Sequence, residues 1–137
     1  MSGPKHYVHT CVDHCNNIIT KELRLPESYH SRALTLGFLS ALGQARLIYG
    51  KDVKGELSQP VTVHFVSTDG CNFHFSVFQL NTLDLEEPGG KKNIFWHEED
   101  MTRLYDVCEY VSARPTLKGF NPEIFAKFFA MYSQNAE

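Results

Sequence analysis

No stretch of this sequence stays apolar for the about 20 residues that a membrane-crossing helix needs, so no membrane partner is expected. The amino-terminus, Met1 to Lys5, is short and polar, and is neither a secretory signal nor an arginine-rich mitochondrial presequence. Cysteine is sparse. Cys11, Cys15, Cys71 and Cys108 are the four present, and without a secretory signal they read as reduced thiols, not as a disulfide framework. Excess positive charge is lacking too. The net charge is -3, whereas a domain that grips nucleic acid through phosphates is usually basic. Residues 84–109 hold three Lys/Arg against eight Asp/Glu, and a solvated face is the preferred reading of that acidic stretch.

Several catalytic signatures are missing. There is no Gly-x-Ser-x-Gly nucleophile elbow. Gly89-Gly90-Lys91-Lys92 lacks the spacing of a phosphate-binding P-loop, and the aromatic signature of RNA-recognition sheets is absent. Cys11, His14 and Cys15 cluster, with His6 and His9 before them, but the other Cys/His group, Cys71 and His74, completes no zinc spacing. No metal, cofactor or small-molecule substrate is expected. Glu86, Glu87, Glu98, Glu99 and Asp100 read as hydrated loop carboxylates.

What the chain does have is large apolar side chains. Hydrophobic residues make up 42%, with ten Phe and six Tyr, enough for one compact domain over residues 1–137 with a core that needs no staples. Val8, Cys11, Val12, Cys15, Ile18, Ile19 and Leu23 recur every three or four residues and predict a helix over residues 7–24. Pro26 breaks it, and Ser28 is placed to cap a second helix reaching Tyr49, with Leu34, Phe38, Leu42, Ala45 and Tyr49 on its buried face. Two alternating runs, Val61–Ser67 and Cys71–Leu83, flank Thr68-Asp69-Gly70 and predict a β-hairpin. Asn93 to Trp96 predicts a third strand. Residues 98–112 carry a mixed pattern compatible with a helix that Arg114-Pro115 would end. Gly119-Phe120-Asn121-Pro122-Glu123 predicts a capped helix start, followed by the stripe Ile124, Phe125, Phe128, Phe129 and Tyr132. The expected fold class is α+β: an amino-terminal helical pair, a small antiparallel sheet built on the hairpin, and a carboxy-terminal helix. His64 and His74, on adjacent hairpin strands, are placed to meet across the ladder, the one hint of chemistry.

Three segments taken in order resemble a known family. They are Thr68-Asp69-Gly70 with Phe73, Phe75 and Phe78-Gln79-Leu80-Asn81-Thr82-Leu83; Lys92-Asn93-Ile94-Phe95-Trp96; and Lys118-Gly119-Phe120-Asn121-Pro122-Glu123 with Phe125, Lys127 and Phe128. Together they are similar to the carboxy-terminal region of the mitochondrial ribosomal protein family of large-subunit protein thirty-seven and small-subunit protein thirty. The ending over residues 119–132 looks more like the large-subunit branch. The resemblance implies a non-catalytic structural constituent of the mitochondrial large ribosomal subunit. The implied partners are neighbouring mitochondrial ribosomal proteins, including the family paralogue, and ribosomal RNA. Family members are much longer, so it also implies a carboxy-terminal part of a mitochondrial protein whose import signal lies upstream. On that footing Lys91, Lys92, Lys118 and Lys127 are candidate contacts to RNA backbone, and Trp96 is a candidate protein-contact anchor. The alternatives are an interaction module outside the ribosome, or a small hydrolase built around His64, His74 and a cysteine.

Overall fold

The computed structural model describes residues 7–14 and 26–133. Its elements, in order, are β1 (Tyr7–His14), α1 (Pro26–Tyr49), β2 (Glu56–Thr68), β3 (Asn72–Thr82), β4 (Ile94–His97), β5 (Thr102–Arg103), β6 (Val107–Val111), β7 (Arg114–Lys118) and α2 (Pro122–Ser133). One five-stranded sheet has the order β1-β2-β3-β4, with β5 also pairing to β3; β6 and β7 form a separate two-stranded ribbon.

The hairpin is closed by its turn chemistry. Gly70 takes a φ of 98°, a left-handed value that glycine adopts without a side-chain clash. The Asp69 carboxylate accepts hydrogen bonds from the backbone N–H of Cys71 at 2.9 Å and of Asn72 at 2.7 Å, and from the Asn72 amide at 3.0 Å. Those three bonds set the register Thr68↔Phe73, Val66↔Phe75 and Val63↔Phe78. Every later pair, and so every side chain's face, follows from that register.

The register divides the sheet into two apolar faces. Val61, Val63, Phe65, Phe78 and Leu80 meet Ala33, Ala41 and Ala45 of α1. Val66, Phe73 and Phe75 meet Ile124 of α2, flanked by Leu104, Phe128 and Met131. The molecule is thus three-layered, helix on sheet on helix, with a core in each gap. The helical stripe that faces the sheet differs from the expected one. Ala33, Gly37, Ala41 and Ala45 approach it, while Leu34 is exposed. A Cβ added at Gly37 would stand 3.3 Å from the Phe78 Cβ, so the small residues let α1 lie close on the strands.

The amino-terminal helical pair is not what forms. Residues 7–14 are a strand, parallel to β2, with Tyr7, His9 and Cys11 paired to Val61, Val63 and Phe65. Val8 and Val12 on one face and Tyr7 and Cys11 on the other also suit an edge strand of the sheet. β-Branched and aromatic residues then favour the extended form once a partner edge is available. Residues 15–24 of that expected helix lie outside the described residues. α1 opens at Pro26, which suits a first helical turn, so Ser28 lies inside it and not at its cap.

Residues 98–112 likewise contain β5 and all of β6, not a helix. The β6–β7 ribbon turns through Ser112 (φ 52°) and Ala113 (φ 62°), a tight hairpin conformation usually marked by Gly or Asn. Pro115 sits within β7, opposite Tyr110 on a ribbon with exposed edges. α2 begins where its cap predicts: the Asn121 side chain accepts from the Glu123 N–H at 3.1 Å, and the rings of Phe120 and Phe125 lie 6.4 Å apart as a hydrophobic staple.

Candidate functional site

The aromatic stripe of α2 splits in two. Ile124, Phe128 and Met131 turn to the sheet. Phe125, Phe129 and Tyr132, at spacings of four and three, turn outward and are 53%, 59% and 62% exposed, continued by Phe120 at 45%. Phe125 and Phe129 stack with centroids 6.4 Å apart. The protruding ribbon adds Val107, Tyr110, Val111 and Leu117, all exposed. A contiguous aromatic row left exposed on one helix face is a candidate docking surface.

The candidate contact residues are not alike. Lys91 and Lys92 are exposed in the loop before β4; Lys91 is 4.0 Å from Glu56, and the Lys92 ammonium donates to the Glu87 carbonyl at 3.1 Å. Lys118 pairs with Glu109 at 2.6 Å on the ribbon. Lys127 is more committed. Its ammonium is paired with Glu98 and lies 4.6 Å from the Phe75 ring centroid and 5.9 Å from that of Trp96. Burial lowers its pKa from the usual lysine value. Trp96 is 51% exposed on β4, so one part of its ring shelters Lys127 and the rest remains accessible.

The expected histidine meeting does not occur. In the hairpin register His64 pairs with Val77 and His74 with Ser67, which puts the two rings on opposite faces. The separation follows from the turn, whose pairing parity cannot bring 64 and 74 to one face. Cys11 sits on β1 in contact with α1, where burial raises its thiol pKa. It belongs to a strand, so the helical spacing that would have joined it to Cys15 does not apply there. The Cys71 thiol donates to the Tyr105 carbonyl at 3.3 Å.

A different histidine group assembles instead. His30 from the start of α1, His74 from β3 and His97 from β4 converge, with ring-centroid distances of 5.0 Å (30 to 74), 4.0 Å (30 to 97) and 6.2 Å (74 to 97). His74 is fully buried, and its pKa is pushed down to about 4, chiefly by burial and then by His30, His97 and Lys127. Sequence reasoning missed this set because its members are far apart in the chain. The pairing Ser76↔His97, which puts His97 on the His74 face, becomes legible only once β4 is known to join β3.

A family model described as Mitochondrial 28S ribosomal protein S30 (PDCD9) matches residues 14–135. A protein of Rattus norvegicus named large ribosomal subunit protein mL37 is 40% identical over 123 residues, covering 82% of this chain and 28% of that protein. The protein of that name from Mus musculus is 41% identical over 119 residues, 79% of this chain and 27% of its own. The one from Gallus gallus is 41% identical over 115 residues, 78% and 26%. The chain therefore spans little more than a quarter of the length of these curated relatives. A match that runs from the last residue of β1 past the end of α2 takes in the buried residues of both cores and the outward aromatic row, and on it the chain belongs to the mitochondrial 28S ribosomal protein S30 (PDCD9) family.

Proposed function

We propose that this chain is a structural constituent of the mitochondrial large ribosomal subunit, held there by protein and ribosomal RNA contacts and performing no catalysis. The observation that carries the reading is the likeness, at 40 to 41% identity over about four-fifths of the chain, to proteins named for that subunit. The outward row Phe120, Phe125, Phe129 and Tyr132 supports it, because such a surface suits docking on a neighbouring mitochondrial ribosomal protein, the family paralogue included. Trp96 extends the protein-contact surface at the far edge of the sheet. Lys91 and Lys92 carry the RNA-backbone contact; Lys118 and Lys127 join it by sharing their ammonium groups between a carboxylate and a phosphate.

The test is sedimentation of tagged chain with mitochondrial lysate through a gradient. Co-migration with large subunits, weakened by charge reversal at Lys91 and Lys92 and more so as salt rises, is the expected result. Retention at the top of the gradient, together with a stable complex elsewhere, would favour an interaction module outside the ribosome.

A further inference from the structure

We propose that the outer edge of β4 is a docking site for an extended, basic segment of a partner protein, which joins the sheet as a further strand and lowers a bulky apolar side chain into the groove between that edge and α1. The inference does not depend on the ribosomal reading, because an edge and a groove of this kind recognise a segment by its chemistry, whatever assembly supplies it.

β4 pairs with β3 on one side, and among the described residues no strand lies on its other side. The Glu98 N–H donates to the Phe75 carbonyl at 3.1 Å, continuing the β3–β4 register. Alternation along the strand then turns the backbone groups of Ile94 and Trp96 toward β3 and those of Phe95 and His97 outward. An exposed sheet edge is usually guarded by lysine, proline or a bulge. Ile94-Phe95-Trp96-His97 contains no lysine or proline, and its register with β3 runs without a shift.

Both sides of this edge are apolar. Phe95 pairs with Phe78 and so faces α1. Beside it opens a groove of about 410 Å³ whose walls include Leu34 and Phe38 of α1, Leu85, Phe78 and Phe95. A residue of the added strand that stands next to Phe95 shares its face and meets this groove. The residues on either side of it turn the other way, toward Ile94 and Trp96. Leu34, Leu85, Ile94 and Trp96 are all exposed, so apolar surface is left uncovered on each side of the strand. A four-residue strand offers few main-chain bonds, and the groove therefore supplies the anchor.

Charge selects the occupant. Asp84, Glu86 and Glu87 before β4 and Glu99 and Asp100 after it are exposed, against Lys91 and Lys92. Lys91 lies 4.0 Å from Glu56, and the Lys92 ammonium already donates to the Glu87 carbonyl. The flanks of the edge are thus acidic on balance. They attract a segment carrying Lys or Arg on either side of its apolar residue, and they repel a second copy of this chain, which would bring the same carboxylates.

The test is selection of a phage-displayed library of random dodecapeptides on the full chain, followed by ¹⁵N amide spectra of the chain with a selected peptide. The expected peptides share a bulky apolar residue flanked by Lys or Arg. On binding, the largest shifts fall on residues 94–97, and the Phe95 and His97 amides become protected from solvent exchange. Leu34→Gln, at an exposed helix position, and the pair Glu86→Lys with Glu99→Lys should each weaken binding at least about fivefold, the charge-reversed pair in a salt-dependent way. The wild-type spectra need no substitution, so they decide the matter even if a variant fails to fold. Failure to select any peptide, selection without basic residues, or shifts on α2 in place of β4 would overturn the assignment. So would a concentration-dependent dimer of the chain alone that protects the same amides.

Discussion

Two phenylalanines of similar sequence appearance should have opposite fates. Phe75 is fully buried between the sheet and α2, packed against Phe73 with centroids 6.1 Å apart and capped by the Lys127 ammonium. Its truncation leaves a ring-sized hole that α2 cannot fill without leaving the Asn121 cap. Replacement of a buried Phe by Ala costs about 3–5 kcal/mol, against a total stability of about 5–15 kcal/mol for a domain of ordinary size. Phe129 is 59% exposed and faces away from the sheet. Phe and Ser have similar helix propensities, so Phe129→Ser should change stability by no more than about 0.5 kcal/mol. The loss should fall on docking instead: truncating an interface anchor typically costs above about 1 kcal/mol, or about fivefold in affinity. Urea melts read the first quantity and subunit co-sedimentation the second. Phe75→Ala should move the melting midpoint far down at unchanged slope, whereas Phe129→Ser should melt as the wild type and associate less. A Phe129→Ser midpoint shift as large as that of Phe75→Ala would refute the division of the α2 stripe. Wild-type association of a folded Phe129→Ser would refute the docking role.

Gly119 has a φ of 70°, and a Cβ there would stand 2.1 Å from an Asp106 carboxylate oxygen, so Gly119→Ala should destabilise by more than about 1 kcal/mol in a thermal melt. Ala113→Gly, in the left-handed tip of the β6–β7 ribbon, should by contrast raise the midpoint, since it relieves about 1 kcal/mol of backbone strain; a lowered midpoint would refute that account of the turn. Burial pushes the Asp69 carboxyl upward, but the hydrogen bonds from Asn72 and Cys71 outweigh it and hold the pKa below the usual 3.8. Its contribution is therefore complete above the unfolded-chain value and lost as pH falls through the lower folded one. The stability gap between wild type and Asp69→Asn should shrink at acid pH in paired urea melts, and a gap independent of pH would count against it.

Residues whose local chemistry admits one solution were legible without coordinates. Thr68-Asp69-Gly70 between two alternating runs specified a hairpin, because a left-handed glycine and a side chain that bonds its own turn leave few other paths. Asn121-Pro122-Glu123 specified the start of α2 for the same kind of reason. Residues 7–14 were misread because Val8, Cys11 and Val12 fit the stripe of a helix and also the two faces of an edge strand; only the presence of the β2 edge, far along the chain, chose the strand. The β6–β7 ribbon was missed because its turn uses Ser112 and Ala113 where glycine would have announced it. The family was readable from the segments around the hairpin, β4 and α2, and the match over residues 14–135 agrees.

The sequence alone determined that the chain would build a mixed α and β domain around many aromatic rings, with one hairpin and one capped terminal helix bearing an aromatic stripe. It could not say which rings in that stripe remain outside, since that depends on how α2 lies across Val66, Phe73 and Phe75. Nor could it join His30, His74 and His97, which meet only because β4 pairs with β3 and α1 crosses the same face. Local turn and cap chemistry acts over a few residues and is written in them. The choice of face and neighbour is made by burial over the whole chain, and tertiary structure alone records it.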